Sequence, residues 1–381
     1  MEAKDDGVNI PLGDQFSKFA WEQTKATANN SRHVVVHDFA EHNFRGPRGL
    51  RFVNLPEDCY FDVAADGIGT KVVFINEAMS QETAARDVMA MCAADITRWG
   101  GKVLVFCNVL DVSTLGVNAQ SDTYKALAKA IQGLRKVADE QGIVLYRGET
   151  AELGPCVGSE NPEAAAKFNW AGFAIGVYHP DRLIIGDDMA TGDVVVAFWE
   201  DGFRSNGLSS VRAAMRRQYG DKWWDNPDAK QDIKEIATPS TLYDKFLSSI
   251  NGWEPGGPSV PIKALAHISG GGIPSKFFHD ILAPKGFSAR LDNLFNPPDI
   301  MRRCGLWSGK TDKALYETWN GGQAVLAVIP SYYAERLREI ASSKGIRICV
   351  AGEIFAERHP KLTIKSQFTP ETLLVWEKDE K

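Results

Sequence analysis

Strand-length apolar runs alternate with helix-length amphipathic runs twice along the chain, and that alternation restricts the fold to layered α/β arrangements. The first series begins near Tyr60. "YFDVAA" and "KVVFI" read as strands, and "QETAARDVMAMCAADITRWGG" reads as a helix closed by glycines. "KVLVFCNVLDV" is a buried strand, "SDTYKALAKAIQGLRKVADEQG" a helix capped by Ser121 or Asp122, and "IVLYRGETAEL" and "WAGFAIGVY" are further strands. Together they make a layer of about four strands and two helices. The turn-rich stretch "HPDRLIIGDDMATGD" then connects to a second α/β series. In it, strand "DVVVAFW" leads through loop "EDGFRSNG" to helix "LSSVRAAMRRQYG", followed by a polar, tryptophan-rich insertion at 221–234 and helix "STLYDKFLSSI". "IKALAHISGGG" leads to helix "PSKFFHDIL", and strand "GGQAVLAVIP", helix "SYYAERLREIASSKG" and strand "IRICVAGEI" complete the series. A length of 381 residues fits two domains, expected at 1–180 and 181–381.

A net charge of −6 argues against general binding to nucleic acid or to an anionic membrane surface, both of which need a basic face. Six cysteines without a CxxC pair, several of them in apolar runs, fit reduced and mostly buried thiols in a cytoplasmic protein. The opening "MEAKDDGVN" has no apolar signal core, and no apolar run reaches the roughly 18 residues of a membrane span.

Residues 64–71, "AADGIGTK", admit two readings. Asp-Gly is a leading hairpin dipeptide because both residues tolerate positive φ. Alternatively, a carboxylate and a lysine flank a glycine hinge that holds a charged ligand. In the helix that follows, Val88, Met91, Cys92, Asp95, Ile96 and Trp99 form one stripe, apolar except for Asp95. A carboxylate there calls for a salt bridge, a capping role or a cation shared with Asp66. Asp111 ends a strand, and Glu149 and Glu152 lie just past another, where ligand groups gather in α/β proteins. Four acidic sites converging on one edge need a counter-charge. Mg2+ supplies it with oxygen ligation and phosphate bridging, and Lys71 can meet a phosphate as a point charge.

The second series offers donors for an anion. Ser205, Asn206 and Gly207 precede one helix; Gly270, Gly271 and Gly272 precede another that has Pro274 in its first turn. Each is either an ordinary capped helix start or a phosphate cradle. Other stretches are set aside. "GLWSGKT" is one residue short of a Walker A loop and lacks a preceding strand. His33, His37 and His42 lack a completing ligand cluster for zinc. Cys92 has no nearby histidine, and no GxSxG elbow occurs.

"DGIGTK", "DVMAMCAADI", "VLDVSTL", "GETAE", "WAGFAIGV", "DGFRSNGLSSVR", "ATPSTLY" and "HISGGGIP" stand in the order found in aminoimidazole ribonucleotide synthetase, also called phosphoribosylformylglycinamidine cyclo-ligase, and "DDGVNIPLGDQF" is similar to that family's opening. The resemblance spans nearly the whole chain. It implies an N-terminal domain that pairs with its copy in a homodimer to build a β-barrel, a C-terminal α/β domain that completes the substrate cleft, and a ribonucleotide substrate closed to an imidazole with ATP and Mg2+. By the same resemblance, Asp66 and Asp95 hold the metal on the ATP phosphates, and Gly67, Gly69 and Thr70 approach the nucleotide. Lys71, Asp111 and Glu149 lie in the site, and Ser205, Asn206 and Gly270, Gly271 and Gly272 face the cleft.

The chain departs from the family pattern at several points. "NFRGPRGLR", with Arg45, Arg48 and Arg51, replaces the glycine-rich segment expected to close over ATP. Ala94 precedes Asp95 where asparagine is usual, Asn169 stands for an aspartate, Arg204 for a histidine, and "WNGGQ" for a Phe-Asn-Met-Gly stretch. Two other readings therefore stand beside the cyclo-ligase. One is a sister enzyme of the same scaffold, such as thiamine-monophosphate kinase. The other is an inactive nucleotide-binding partner subunit.

Overall fold

The computed structural model describes residues 9–40 and 45–378. The chain divides into two compact units. The first runs to Thr97 and adds Gly101–Asp181 and Leu242–Lys245; the second takes Arg98–Gly100, Arg182–Thr241 and the chain from Phe246 on.

In the first unit α1 (Ile10–Lys25) starts at Asn9, whose side chain accepts from Leu12 N–H, with Pro11 in the first turn. The antiparallel hairpin β1 (Val34–Asp38) and β2 (Arg48–Phe52) follows. Then come β3 (Tyr60–Gly67), α2 (Lys71–Ala78), α3 (Ala84–Thr97), β4 (Lys102–Val112), α4 (Asp122–Gln141), β5 (Val144–Glu152) and β6 (Phe168–Tyr178). β3 to β6 form one sheet in the order β3-β6-β4-β5. β4 and β5 are parallel because α4 carries the chain back across the face; α4 is capped by Ser121 at its start and by left-handed Gly142 at its end. Buried Val88, Cys92 and Ile96 of α3 and Leu127, Ile131 and Leu134 of α4 pack with Phe106, Leu110 and Trp170 of the sheet. The opposite face stays largely open, with Val63, Phe61 and Phe173 exposed.

One element differs from its sequence reading. "KVVFI" is not a strand but the start of α2, and Lys71, Val73, Phe74, Ile75 and Asn76 are all buried. A short apolar run enclosed on every side carries no periodicity to tell the two apart.

The second unit begins with β7 (Val194–Trp199), α5 (Leu208–Tyr219) and α6 (Lys230–Ile236); the boundary between units falls inside α7 (Asp244–Ser248). β8 (Ala264–His267), a π-type helix at Pro274–Leu282, β9 (Phe287–Leu291), α8 (Asp299–Ser308), α9 (Asp312–Thr318) and β10 (Gln323–Ile329) follow. α10 (Ala334–Ser343), β11 (Ile348–Ala356), β12 (Lys361–Lys365) and β13 (Leu373–Glu377) close the fold. The sheet runs β13-β12-β9-β11-β7-β10-β8 and is antiparallel except where β12 lies parallel to β9. Phe277, Phe278, Ile281 and Leu282 pack onto it through Ala266, Leu326 and Ile364. The 221–234 insertion is a brace. Trp223 is fully buried, and Arg303 of α8 bridges Asp232 and Glu235 at 2.6 Å each.

Candidate functional site

In the first unit the "AADGIGTK" stretch is not a hairpin. It is the C-terminal end of β3 turning directly into α2. Asp66 pairs across the sheet with Gly172, and its Oδ1 accepts from Gly67 N–H at 2.7 Å. Ile68 N–H donates to Trp170 O, Gly69 takes φ +60°, and Thr70 precedes the first turn of α2. A Cβ built on Gly172 would lie 3.0 Å from Cys92 Sγ, so this row of the sheet faces α3. Cys92 Sγ donates to Asp66 O at 3.6 Å, and half-buried Asp95 follows one helical turn later. Burial first, then the charges of Asp66 and Asp95, push the Cys92 thiol up to about 12. Both carboxylates therefore act on one thiol, which is itself inert as a nucleophile. Hard oxygen donors of this kind suit Mg2+, which takes one or two protein carboxylates and fills its remaining positions with water and phosphate. Among the described residues no group of three or more His, Cys, Asp or Glu side chains is arranged to hold a metal.

The expectation that four acidic groups converge on one edge is corrected. Asp111 pairs with Ala151 and Asn169, and Glu149 pairs with Val109. Both alternate with the buried Phe106, Asn108, Leu110 and Val112, so they lie on the open face, opposite Asp66. Glu152 is spent on the loop after β4, where its Oε1 accepts from Leu115 N–H at 2.7 Å. Glu149 borders a cavity of about 580 Å³ beside β5, together with Trp21, Arg48, Cys107, Tyr146 and Arg147.

Lys71 is fully buried, and its Nζ pairs with Asp87 Oδ1 at 2.7 Å. It ties the start of α2 to α3 rather than standing as a point charge at the surface. Asp87 escaped the sequence reading, although a lone acid and a lone lysine in neighbouring apolar helices are the usual mark of such a pair. The arginines of "NFRGPRGLR" are partly committed as well. Arg45 pairs with Asp14, and Arg48 pairs with Asp38 and donates to Tyr146 O at 2.9 Å; Arg51 is exposed. His33 is buried, His37 is exposed and stacks edge-on against Phe39, and His42 lies outside the described residues.

In the second unit the two glycine-bearing loops meet. Asn206 Oδ1 lies 3.3 Å from where a Cβ of Gly270 would stand. The first of these loops is braced by the segment after α9: Trp319 Nε1 donates to Gly207 O at 3.2 Å, and Asn320 Nδ2 donates to Gly202 O at 2.9 Å. Gly272, at φ +61°, packs so closely that a Cβ would fall 1.8 Å from Tyr316 O. Within the first loop sits a buried ion pair, Arg204 Nη1 to Glu200 Oε2 at 2.7 Å. Nη1 also donates to Thr241 O at 3.1 Å. Arg204 holds φ +56°, a conformation that costs a non-glycine residue roughly 1–3 kcal/mol. His267, the last residue of β8, is buried, and burial first, then Arg204, Arg98 and Lys276, hold its pKa well below the ordinary value. Neither Glu200 nor His267 was singled out in the sequence. "HISGGG" carried the signal for the histidine, a titratable group ending a strand beside a glycine turn.

Known proteins resemble the chain in sequence and in fold. A family model described as "AIR synthase related protein, N-terminal domain" matches residues 51–177, and its C-terminal counterpart matches 190–365. Phosphoribosylformylglycinamidine cyclo-ligase of Caldanaerobacter subterraneus subsp. tengcongensis is 28% identical over 366 residues, covering 93% of this chain and 97% of that protein. The enzyme of the same name from Prochlorococcus marinus (strain MIT 9215) is 28% identical over 379 residues, covering 98% and 100%. Among solved structures, thiamine-monophosphate kinase from Stenotrophomonas maltophilia K279a superposes with TM-score 0.58 at 14% identity, covering 90% of this chain and 94% of that one. Hydrogenase maturation protein HypE in complex with ATP gives 0.51 at 13% identity, covering 84% and 86%; both are likenesses of fold. With both family domains matched in order along its length, the chain belongs to the AIR synthase related protein family.

Proposed function

We propose that the chain is an ATP- and Mg2+-dependent cyclo-ligase that converts formylglycinamidine ribonucleotide to aminoimidazole ribonucleotide, a reading supported by its similarity to phosphoribosylformylglycinamidine cyclo-ligases. The observation that supports the reading is that Asp66, at the end of β3, and Asp95, on α3, both lie near enough to the Cys92 thiol for their charges to act on it. The γ-phosphoryl group of ATP passes to the formamide oxygen and turns a poor leaving group into phosphate. A nitrogen of the same molecule then attacks the formyl carbon, the C–O bond breaks, and the imidazole closes. Bound Mg2+ would neutralise charge on the triphosphate. The protein's part is to hold two reacting groups of one molecule together and to stabilise developing charge. On this reading the first domain, 1–180, holds nucleotide and metal through Asp66, Asp95, Gly67, Gly69 and Thr70, with Glu149 and Asp111 reaching ligand on the open face. The second domain, 181–381, presents Ser205, Asn206 and the triple glycine to the ribonucleotide.

The test is ADP release on mixing the protein with ATP, Mg2+ and formylglycinamidine ribonucleotide. Asp95→Asn should lower it by about 10²-fold or more. Unchanged turnover in that variant removes the metal assignment. A second reading, a sister enzyme phosphorylating another small molecule, draws on Arg204 standing where the cyclo-ligases favour histidine; ADP release with thiamine monophosphate but not with the ribonucleotide would select it.

A further inference from the structure

Polar atoms buried without partners are costly, and three of them crowd the loops of the second unit. Arg204 Nε, Ser205 Oγ and His267 Nε2 are each enclosed and lack a hydrogen-bond partner. Arg204 and His267 are 2% and 4% exposed. The ion pair with Glu200 does not complete the arginine. Glu200 Oε2 and Thr241 O both take Nη1, which fixes one edge of the guanidinium and leaves the Nε–H edge open. The backbone at Arg204 is left-handed, at φ +56°, and Ser205 and Asn206 follow it directly in the same loop. Every charge that bears on His267 is cationic, namely Arg204, Arg98 and Lys276, although Lys276 also pairs with Asp280 at 3.6 Å. The starts of α5 and of the helix Pro274–Leu282 adjoin the same loops and add their positive dipole ends.

We propose that Arg204 is the specificity-determining residue of this cradle, and that its Nε–H, Ser205 Oγ–H and His267 Nε2 together receive the phosphate monoester of a sugar-phosphate ligand. Three separate donors match the three terminal oxygens of a monoester better than the two of a carboxylate, and an uncharged hydroxyl would leave donors unmet. The inference rests on the reading of the second unit as the substrate half, but not on which reaction follows.

The experiment is calorimetric titration of the full chain with ribose 5-phosphate, ribose and inorganic phosphate, with neither ATP nor Mg2+ present. Ribose 5-phosphate is expected to bind, inorganic phosphate to compete with it, and ribose to give no signal. Arg204→Lys, which keeps the charge and loses the fork, and Ser205→Ala should each weaken binding about tenfold or more. Should Arg204→Lys fail to fold, Ser205→Ala and His267→Gln decide the matter, because both leave the Glu200 pair intact. Ribose binding as tightly as its phosphate overturns the proposal, as does wild-type affinity in both decisive variants. Arg204-dependent binding of ATP in place of ribose 5-phosphate overturns the monoester assignment. The measurement is independent of ADP release, so the cyclo-ligase reading and this one can fail separately.

Discussion

Lys71 and Asp87 show how far a residue's type can mislead about its task. A lysine after a glycine turn suggests a phosphate partner, yet its ammonium is enclosed and matched to a carboxylate one helix away. Removing one member of such a pair leaves the other buried and uncompensated. Lys71→Met should therefore cost about 3–5 kcal/mol in urea unfolding, while Lys71→Met with Asp87→Leu should lie much closer to wild type. A lysine serving only a nucleotide would show the reverse, lost turnover at unchanged stability. His267 makes a second residue-scale prediction. Its folded pKa is lowered, so below the unfolded value of 6.5 the unfolded chain binds a proton that the native one does not. Stability must fall as pH drops through 6.5 and on towards the lowered folded value, and His33, lowered by burial and by Lys102 and Arg32, acts in the same direction. Urea titrations at about pH 7 and about pH 5 should show a smaller loss for His267→Gln than for wild type. At this scale Asp66, Asp95 and the two glycine loops stood out in the sequence because acids in apolar stripes and glycines before helices are rare without cause. Asp87 did not, because its partner Lys71 sits sixteen residues away in another helix, and Glu200 and His267 did not, because it is burial rather than spacing that marks them.

Elements were legible where periodicity was long. α3, α4, α5 and α10 and strands β4, β6, β7 and β10 follow from their patterns. α1, the β1–β2 hairpin, β9, β12, β13, α8 and α9 were not assigned, since short strands and polar helices take their stability from neighbours rather than from local pattern. The "GLWSGKT" stretch shows this: it is the end of α8, left-handed Gly309 and the Thr311 cap of α9. The α9-to-β10 segment braces the 202–207 loop through Trp319 and Asn320, and the carbonyls of Tyr316 and Trp319 admit no side chain at Gly272. Gly272→Ala combines a left-handed backbone with a clash against Tyr316 O. It should destabilise by at least about 1 kcal/mol in chemical unfolding and weaken ligand binding at the neighbouring loops.

For the whole molecule, the two-unit α/β plan was readable from the repeated alternation, but the surface that would join two copies was not. The open face of the first sheet exposes Val63 at 60% and Phe61 at 49%, with Phe173 beside them. An apolar sheet face left uncovered favours self-association, and the proposed dimeric barrel would cover it. Val63→Asp is expected to shift a dimer to monomer in sedimentation velocity; a wild-type protein that sediments as a monomer at micromolar concentration would remove the barrel. The boundary expected between 180 and 181 is also too simple. Leu242 belongs to the buried cluster of the first unit, although it arrives well after that point in the chain, and Arg98–Gly100 belong to the second although they come well before it. Gene fission at the turn-rich stretch would thus orphan a plug of the first half, and a chimera that exchanges the second half for a foreign one must carry the 242–245 strip with it or refill the hole it leaves.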